Sequence, residues 1–309
     1  MDSDSSCTNG AVASAHFAAS YAGIQVLKRG GNVVDAIVTT ALTLSAVLPP
    51  FSGIGGGGFL MLHLASEDKT IFVDYREVAP SHSRRDMFAS DSTANSIGHL
   101  AIAVPGTING LSLVLEKYGT MGMDEALKPG IELAAKGTTV TKTLKRATDS
   151  NLAKLRRFPR SDKTFLRDGN SPEIGTVVKF PELSKTYEKI AQRGVDEFYK
   201  GDTAQRILEE IEGNGGILKS SDLASYEAVE REPIRFSFGE YEFFLPPPPS
   251  AGGIQMAQAL SALEAIASKA SKLDHNSYEY LILLSNILGT TFADRGPNIA
   301  DPDFFTVDV

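Results

Sequence analysis

A single cysteine, Cys7, is all the thiol chemistry that 309 residues offer. One thiol closes no intrachain disulfide and builds no cysteine-based zinc site. The five histidines (His16, His63, His82, His99 and His275) fall in no HxxH or HExxH pair, so no metal site is expected. Basic residues are outnumbered, 30 against 38 acidic, for a net charge of −8. That excludes nucleic acid as the main partner while leaving room for a local cationic site. Long apolar runs are also missing. The most apolar stretch, Ile37 to Leu48, includes three threonines and a serine and is too short to span a bilayer. The opening MDSDSSCTNG lacks a basic-then-apolar leader, and there is no Asn-x-Ser/Thr sequon. As written the chain reads as soluble and cytoplasmic, or as secreted or periplasmic if a leader has been removed.

Hydrophobic residues make up 42% of the chain, enough for a sizeable core. Residues 1–11 read as a flexible leader, and 12–309 as one domain with a helical lobe at about 111–230. His16 to Arg29 has helical periodicity and ends at Gly30-Gly31. Asn32 is placed to cap a second, nearly all-apolar helix from Val33 to about Val47, stopped by Pro49-Pro50. The glycine run 53–58 leads into a strand, Phe59 to Leu64. A turn at Ser66 to Lys69 and a strand from Thr70 to Tyr75 complete a hairpin. Further helices are expected at Leu111–Tyr118, at Asp124–Ala135 with Asp124 as cap, and at Asp149–Arg157. Others follow at Leu183–Arg193, Thr203–Glu212, about 252–268 and about 277–292, with one strand over Arg235–Leu245. Strands at both ends of a helical middle indicate an α+β layered domain with a helical insertion.

Few residues carry chemistry. The glycine run is a poor phosphate loop, because no Gly-Lys-Ser/Thr follows and it precedes a strand. Close backbone packing beside a site explains it better. Arg76, at the end of the second strand, has the planar fork that grips a carboxylate. Spacing alone favours a surface ion pair with Asp74 or Glu77 over that role. Ser52 and Ser250 have no identifiable base, and no Gly-x-Ser-x-Gly elbow occurs. No catalytic residue is therefore assigned within this chain.

An ordered set of motifs over residues 11–305 resembles the γ-glutamyltranspeptidase family. It comprises Ala11–Ser14, Ala22–Ala36, Ser52–Phe59, Asp74-Tyr75-Arg76-Glu77-Val78-Ala79-Pro80 and Val104–Leu111. Glu197–Gly201, Arg231-Glu232-Pro233, Pro247–Gly253, Phe292–Arg295 and Asp301–Phe304 complete it. The resemblance implies an N-terminal-nucleophile hydrolase-like αββα sandwich, of which this would be the large-subunit part. In that family a precursor cuts itself before a threonine, which becomes the first residue of a small subunit and the nucleophile. The resemblance thus implies a small-subunit partner, a γ-glutamyl substrate such as glutathione, and no metal or organic cofactor. Arg76 matches the family's arginine that binds the glutamyl α-carboxylate.

The family's motif of two threonines followed by histidine is absent: Thr39-Thr40, Thr138-Thr139 and Thr290-Thr291 lack the histidine. The nucleophile is expected outside these residues, and the chain alone is expected to be inactive. Two alternatives stay open. One is a related acylase acting on poly-γ-glutamate or a glutaryl amide; the other is a non-catalytic fragment.

Overall fold

Contacts divide the chain into two units in a computed structural model that describes residues 7–307. The first six residues of the expected leader lie outside the described residues. Unit 1 comprises Met1–Gly58 and Tyr75–Ala228; unit 2 comprises Phe59–Asp74 and Val229–Val309.

Unit 1 is helical. Helix α1 (Phe17–Lys28) is capped by His16, whose Nδ1 accepts from the Ala18 N–H. Burial pushes the His16 imidazole below its ordinary pKa, which keeps it a neutral acceptor. Helix α2 (Val33–Val47) starts at Asn32, whose side chain accepts from the Val34 and Asp35 N–H groups. Asp35 reaches back to the Asn32 N–H at 2.8 Å, completing a capping box. The expected α2 boundaries hold, and nearly every position of it is buried. Helix α3 (Thr107–Tyr118), α4 (Met123–Lys136), α5 (Pro159–Phe165), α6 (Pro181–Arg193) and α7 (Asp202–Gly213) follow. Helix α2 packs against α1, α3 and α4, and α4 packs against α6. Ala46, Leu42, Leu127, Tyr187 and Ile190 are among the fully buried core residues.

Two helical expectations need correction. Asp124 does not cap α4: Gly122 does, without a side-chain bond, and Asp124 sits in the first turn, where its charge suits the helix dipole. The helix expected at Asp149–Arg157 is two pieces, Lys142–Ser150 and Leu152–Leu155. Thr141 starts the first by accepting from the Leu144 N–H, and Asn151 leaves helical geometry and breaks the run.

Unit 2 holds two small sheets. Strands β1 (Gly58–Leu64), β2 (Lys69–Tyr75) and β3 (Val229–Arg231) form one in the order β1-β2-β3. Strand β3 pairs antiparallel with β2, Val73 opposite Glu230. The expected single strand at Arg235–Leu245 is instead a hairpin, β4 (Ile234–Phe238) and β5 (Tyr241–Leu245). Its turn is made at Gly239, with φ of 59°, a left-handed conformation that glycine adopts without strain. Apolar residues alternate on both sides of this short turn (Ile234, Phe236 and Phe238, then Tyr241, Phe243 and Leu245), so the segment reads as one strand although the phase shifts at Gly239-Glu240. Helices α8 (Gly252–Ala265) and α9 (Tyr278–Asn298) pack together, and α8 packs on β4 and β5. Helix α9 runs a turn and a half past its expected end. Among the described residues, no helix is long and apolar enough to cross a membrane.

Candidate functional site

Arg76 follows the last residue of β2 and is exposed to solvent. The segment it opens, residues 76–81, is held at three points. The Tyr226 hydroxyl donates to the Arg76 carbonyl at 2.9 Å. Two residues on, the Val78 carbonyl accepts from the Val104 N–H at 2.9 Å in an isolated antiparallel bridge. At Ser81 the N–H donates to Asp222 Oδ1 at 3.0 Å. Burial raises the Asp222 carboxyl, but bonds from Ser81 and from the Lys219 N–H outweigh it, with His82 adding to them; the net direction is down. Asp222 therefore stays an ionised acceptor.

The Tyr226 anchor is itself braced. Its ring stacks on Tyr199, with centroids 5.9 Å apart and planes 7° from parallel. The Tyr199 hydroxyl donates to the Pro105 carbonyl at 2.9 Å and accepts from the Asn109 N–H at 3.1 Å. Burial pushes the Tyr199 hydroxyl well above the usual tyrosine range, so it remains a neutral donor. Asn109 Oδ1 accepts from the Ala228 N–H at 2.9 Å. The Val104–Leu111 and Glu197–Gly201 motifs thus meet behind Arg76.

The glycine run packs against the same segment. The Gly56 carbonyl accepts from the Gly106 and Thr107 N–H groups at 2.8 and 3.0 Å. A Cβ on Gly57 would strike the Tyr75 carbonyl and come within 2.7 Å of the Glu77 nitrogen. One on Gly106 would overlap both the Tyr226 hydroxyl and the Tyr75 carbonyl. None of the glycines at 53–58 has a positive φ. Closeness of approach, not backbone freedom, requires glycine here, as the packing reading expects.

A cavity of about 420 Å³ opens at this junction, lined by Ser52, Gly53, Gly55, Gly56 and Gly57 with Tyr75, Glu77 and Thr107. Arg76 lies between the two lining residues Tyr75 and Glu77. Asp74, one candidate for a surface pair with Arg76, accepts from Arg231 Nε at 2.9 Å.

The other sequence candidates have surroundings of their own. Ser250 Oγ accepts from the Gly252 N–H at 3.3 Å and serves its own loop. His63 Nδ1 contacts Thr70 Oγ1 at 3.0 Å, His99 Nε2 is 3.5 Å from Glu210, and the His275 ring packs on Tyr280. Ser52 has no histidine among its cavity neighbours. Among the described residues no group of histidine, cysteine and carboxylate side chains could hold a metal ion. Neither Ser52 nor Ser250 is thus paired with a histidine base among the described residues. Sequence reasoning missed Tyr226 and Asp222, which lie in no motif. Asn109 and Tyr199 were inside quoted motifs, but their roles were not legible.

Comparison with known proteins agrees across sequence and fold. Residues 19–309 match the Gamma-glutamyltranspeptidase family. The chain is 37% identical over 306 residues to a glutathione hydrolase proenzyme of Escherichia coli, covering 96% of this chain and 52% of that protein. It is 34% identical to the Acylase ACY 1 proenzyme of Pseudomonas sp. strain V22, covering 98% and 56%. The crystal structure of Helicobacter pylori gamma-glutamyltranspeptidase superposes with a TM-score of 0.94 at 31% identity, over 98% of this chain and 88% of that one. The chain spans about half the length of the curated relatives it matches.

Proposed function

The chain belongs to the γ-glutamyltranspeptidase family and has the α+β N-terminal-nucleophile hydrolase fold of its solved members, and from that premise we propose that it supplies the donor-gripping part of a glutathione-hydrolase-like enzyme. In this reading Arg76 binds the α-carboxylate of a γ-glutamyl group through its two-pronged guanidinium. The observation that carries it is the triple anchoring of residues 76–81 by Tyr226, Val104 and Asp222. A carboxylate grip is useful to catalysis only if the arm that carries it does not move.

The nucleophile comes from a second segment, the small subunit that makes up the remainder of the proenzyme relatives' length. A threonine hydroxyl there attacks the γ-carbonyl, and its own α-amine takes the proton. The amide C–N bond breaks, the amine leaves with that proton, and a glutamyl ester remains on the threonine. Water or an amino acid then cleaves the ester and restores the hydroxyl. Unit 2 is suited to such a partner. Leu281, Ile282, Leu288 and Phe292 of α9 are exposed, as are Phe304 and Phe305 after it, an apolar set that a second chain would cover.

A second reading is an acylase on another donor, favoured by the 34% identity to the Acylase ACY 1 proenzyme. One experiment separates the two. In the complete protein, Arg76→Lys keeps the charge and loses the fork. We expect kcat/KM for γ-glutamyl-p-nitroanilide to fall by about 2–5 kcal/mol in transition-state terms. 4-Aminobutyryl-p-nitroanilide, the same donor without its α-carboxylate, should change little. Equal losses on both donors would remove Arg76 from the role.

A further inference from the structure

Residues 142–167 of unit 1 carry nine lysines and arginines against two aspartates, in a chain whose net charge is −8. Eight of the nine are exposed. The segment folds as three short helices in succession, Lys142–Ser150, Leu152–Leu155 and α5, each packed against the next. In the first, Leu144 and Thr148 are buried, so Lys142 and Arg146, four apart, share the solvent side. In the second, Leu152 and Leu155 are half-buried, and Lys154, Arg156 and Arg157 are exposed around them. Burial thus sorts the segment into a basic outer side and an apolar inner one.

Little of this charge is used within the chain. Lys145 pairs with Asp149 and Glu173, Arg160 pairs with Glu210, and Arg156 Nε donates to the Gly169 carbonyl at 2.7 Å. Lys142, Arg146 and Lys154 make no side-chain hydrogen bond or ion pair among the described residues. None of these three lines the cavity beside Arg76. Like charges held together repel one another, and a surface of opposite charge relieves that repulsion.

What the segment lacks narrows the partner. Its aromatic residues are Phe158 and Phe165. The first packs edge-on against His99, ring centroids 5.6 Å apart, and the second packs against Phe180 at 6.0 Å. Both are half-buried, so no free ring is offered for a nucleobase to stack on. The apolar side chains that would centre a protein–protein interface face inward. Exposed cations without an apolar centre match the polybasic clusters, of about 4–8 residues, that hold proteins to anionic lipid headgroups. Their long stems let each charged head reach a phosphate separately.

We propose that residues 142–167 form a peripheral docking surface for an anionic phospholipid bilayer, with Lys142, Arg146 and Lys154 meeting headgroup phosphates and nothing entering the hydrocarbon. The contact is electrostatic and does not depend on what Arg76 binds. The test is co-sedimentation of the complete protein with vesicles of phosphatidylglycerol and phosphatidylcholine in equal parts, and with vesicles of phosphatidylcholine alone. The same is done with Lys142→Glu/Arg146→Glu/Lys154→Glu and with Lys142→Arg/Lys154→Arg, which keeps the charge. Thermal melts establish that both variants are folded, and Lys154→Glu alone serves if the triple reversal is not. A duplex oligonucleotide is the competing polyanion.

The parent should bind the mixed vesicles and leave the neutral ones, and added salt should release it. The triple reversal should weaken binding about tenfold or more, and the arginine variant should retain it. Binding to both vesicle types alike, binding to neither, or equal binding by the charge-reversed variant would overturn the proposal. So would binding of the oligonucleotide by a protein that leaves the anionic vesicles unbound.

Discussion

Arg231 holds Asp303 with both terminal nitrogens, Nη1 to Oδ1 at 3.1 Å and Nη2 to Oδ2 at 2.9 Å. Its remaining Nε donates to Asp74 at 2.9 Å. One guanidinium in β3 thereby ties the neighbouring strand β2 to the segment after α9 within unit 2. The Asp303 bonds, with Asp74 in support, push Arg231 above its ordinary pKa against the effect of burial, and Arg231 holds Asp303 below the usual range.

The two carboxylates differ in what their loss should do. Asp74 is buried and Asp303 about half exposed. Arg231→Met removes the cation that a buried carboxylate bonds and should cost about 3–5 kcal/mol. Asp303→Asn weakens a solvent-screened pair and should cost about 0.2–1 kcal/mol. Urea unfolding of the two variants checks the order; equal losses would mean that the Asp74 contact contributes nothing.

Tyr226→Phe keeps the stack on Tyr199 and removes only the hydroxyl that donates to the Arg76 carbonyl. We expect about 0.5–1.5 kcal/mol lost in kcat/KM for γ-glutamyl donors. In an Arg76→Lys background the same change should have little further effect on kcat/KM, because the two residues act through one arm. Additive losses would argue that Tyr226 acts elsewhere.

Neighbouring glycines should respond oppositely to alanine. Gly57→Ala drives a methyl into the Tyr75–Glu77 backbone and should destabilise by about 1–3 kcal/mol. Gly55 has no atom within 4 Å of a built Cβ and no positive φ, so Gly55→Ala should lie within about 0.5 kcal/mol of the parent. Thermal or urea unfolding of both variants checks this contrast.

Asp35 predicts an acid limb. It is fully buried, and burial raises its carboxyl. Bonds from the Thr120 hydroxyl (2.6 Å) and from the Thr120, Asn32 and Met121 N–H groups outweigh that, leaving it below its ordinary 3.8. A folded-state value below the unfolded one means that this stability is fully present above about pH 4 and is lost as pH falls through the folded value. Asp35→Asn should lose about 2–4 kcal/mol at pH 7, and its deficit against the parent should shrink below pH 3.8. A deficit unchanged from pH 7 to pH 2.5 would show that ionisation of Asp35 does not stabilise the fold.

Helix α2 and its cap were legible in the sequence because their interactions are local: Asn32 bonds Val34 and Asp35, and Pro49 follows the last turn. The amphipathic helices α6 and α7 were legible for the same reason. The short turn at Gly239 was not, since β4 and β5 each alternate as a strand does and only Gly239 and Glu240 separate them. The ordered motifs identified the family and singled out Arg76, but they were silent on what holds it. Tyr226 meets Arg76 across 150 positions, Asp222 meets Ser81 across 141, and Arg231 meets Asp303 across 72. No local propensity encodes such pairs. They form only when the whole chain brings distant segments together.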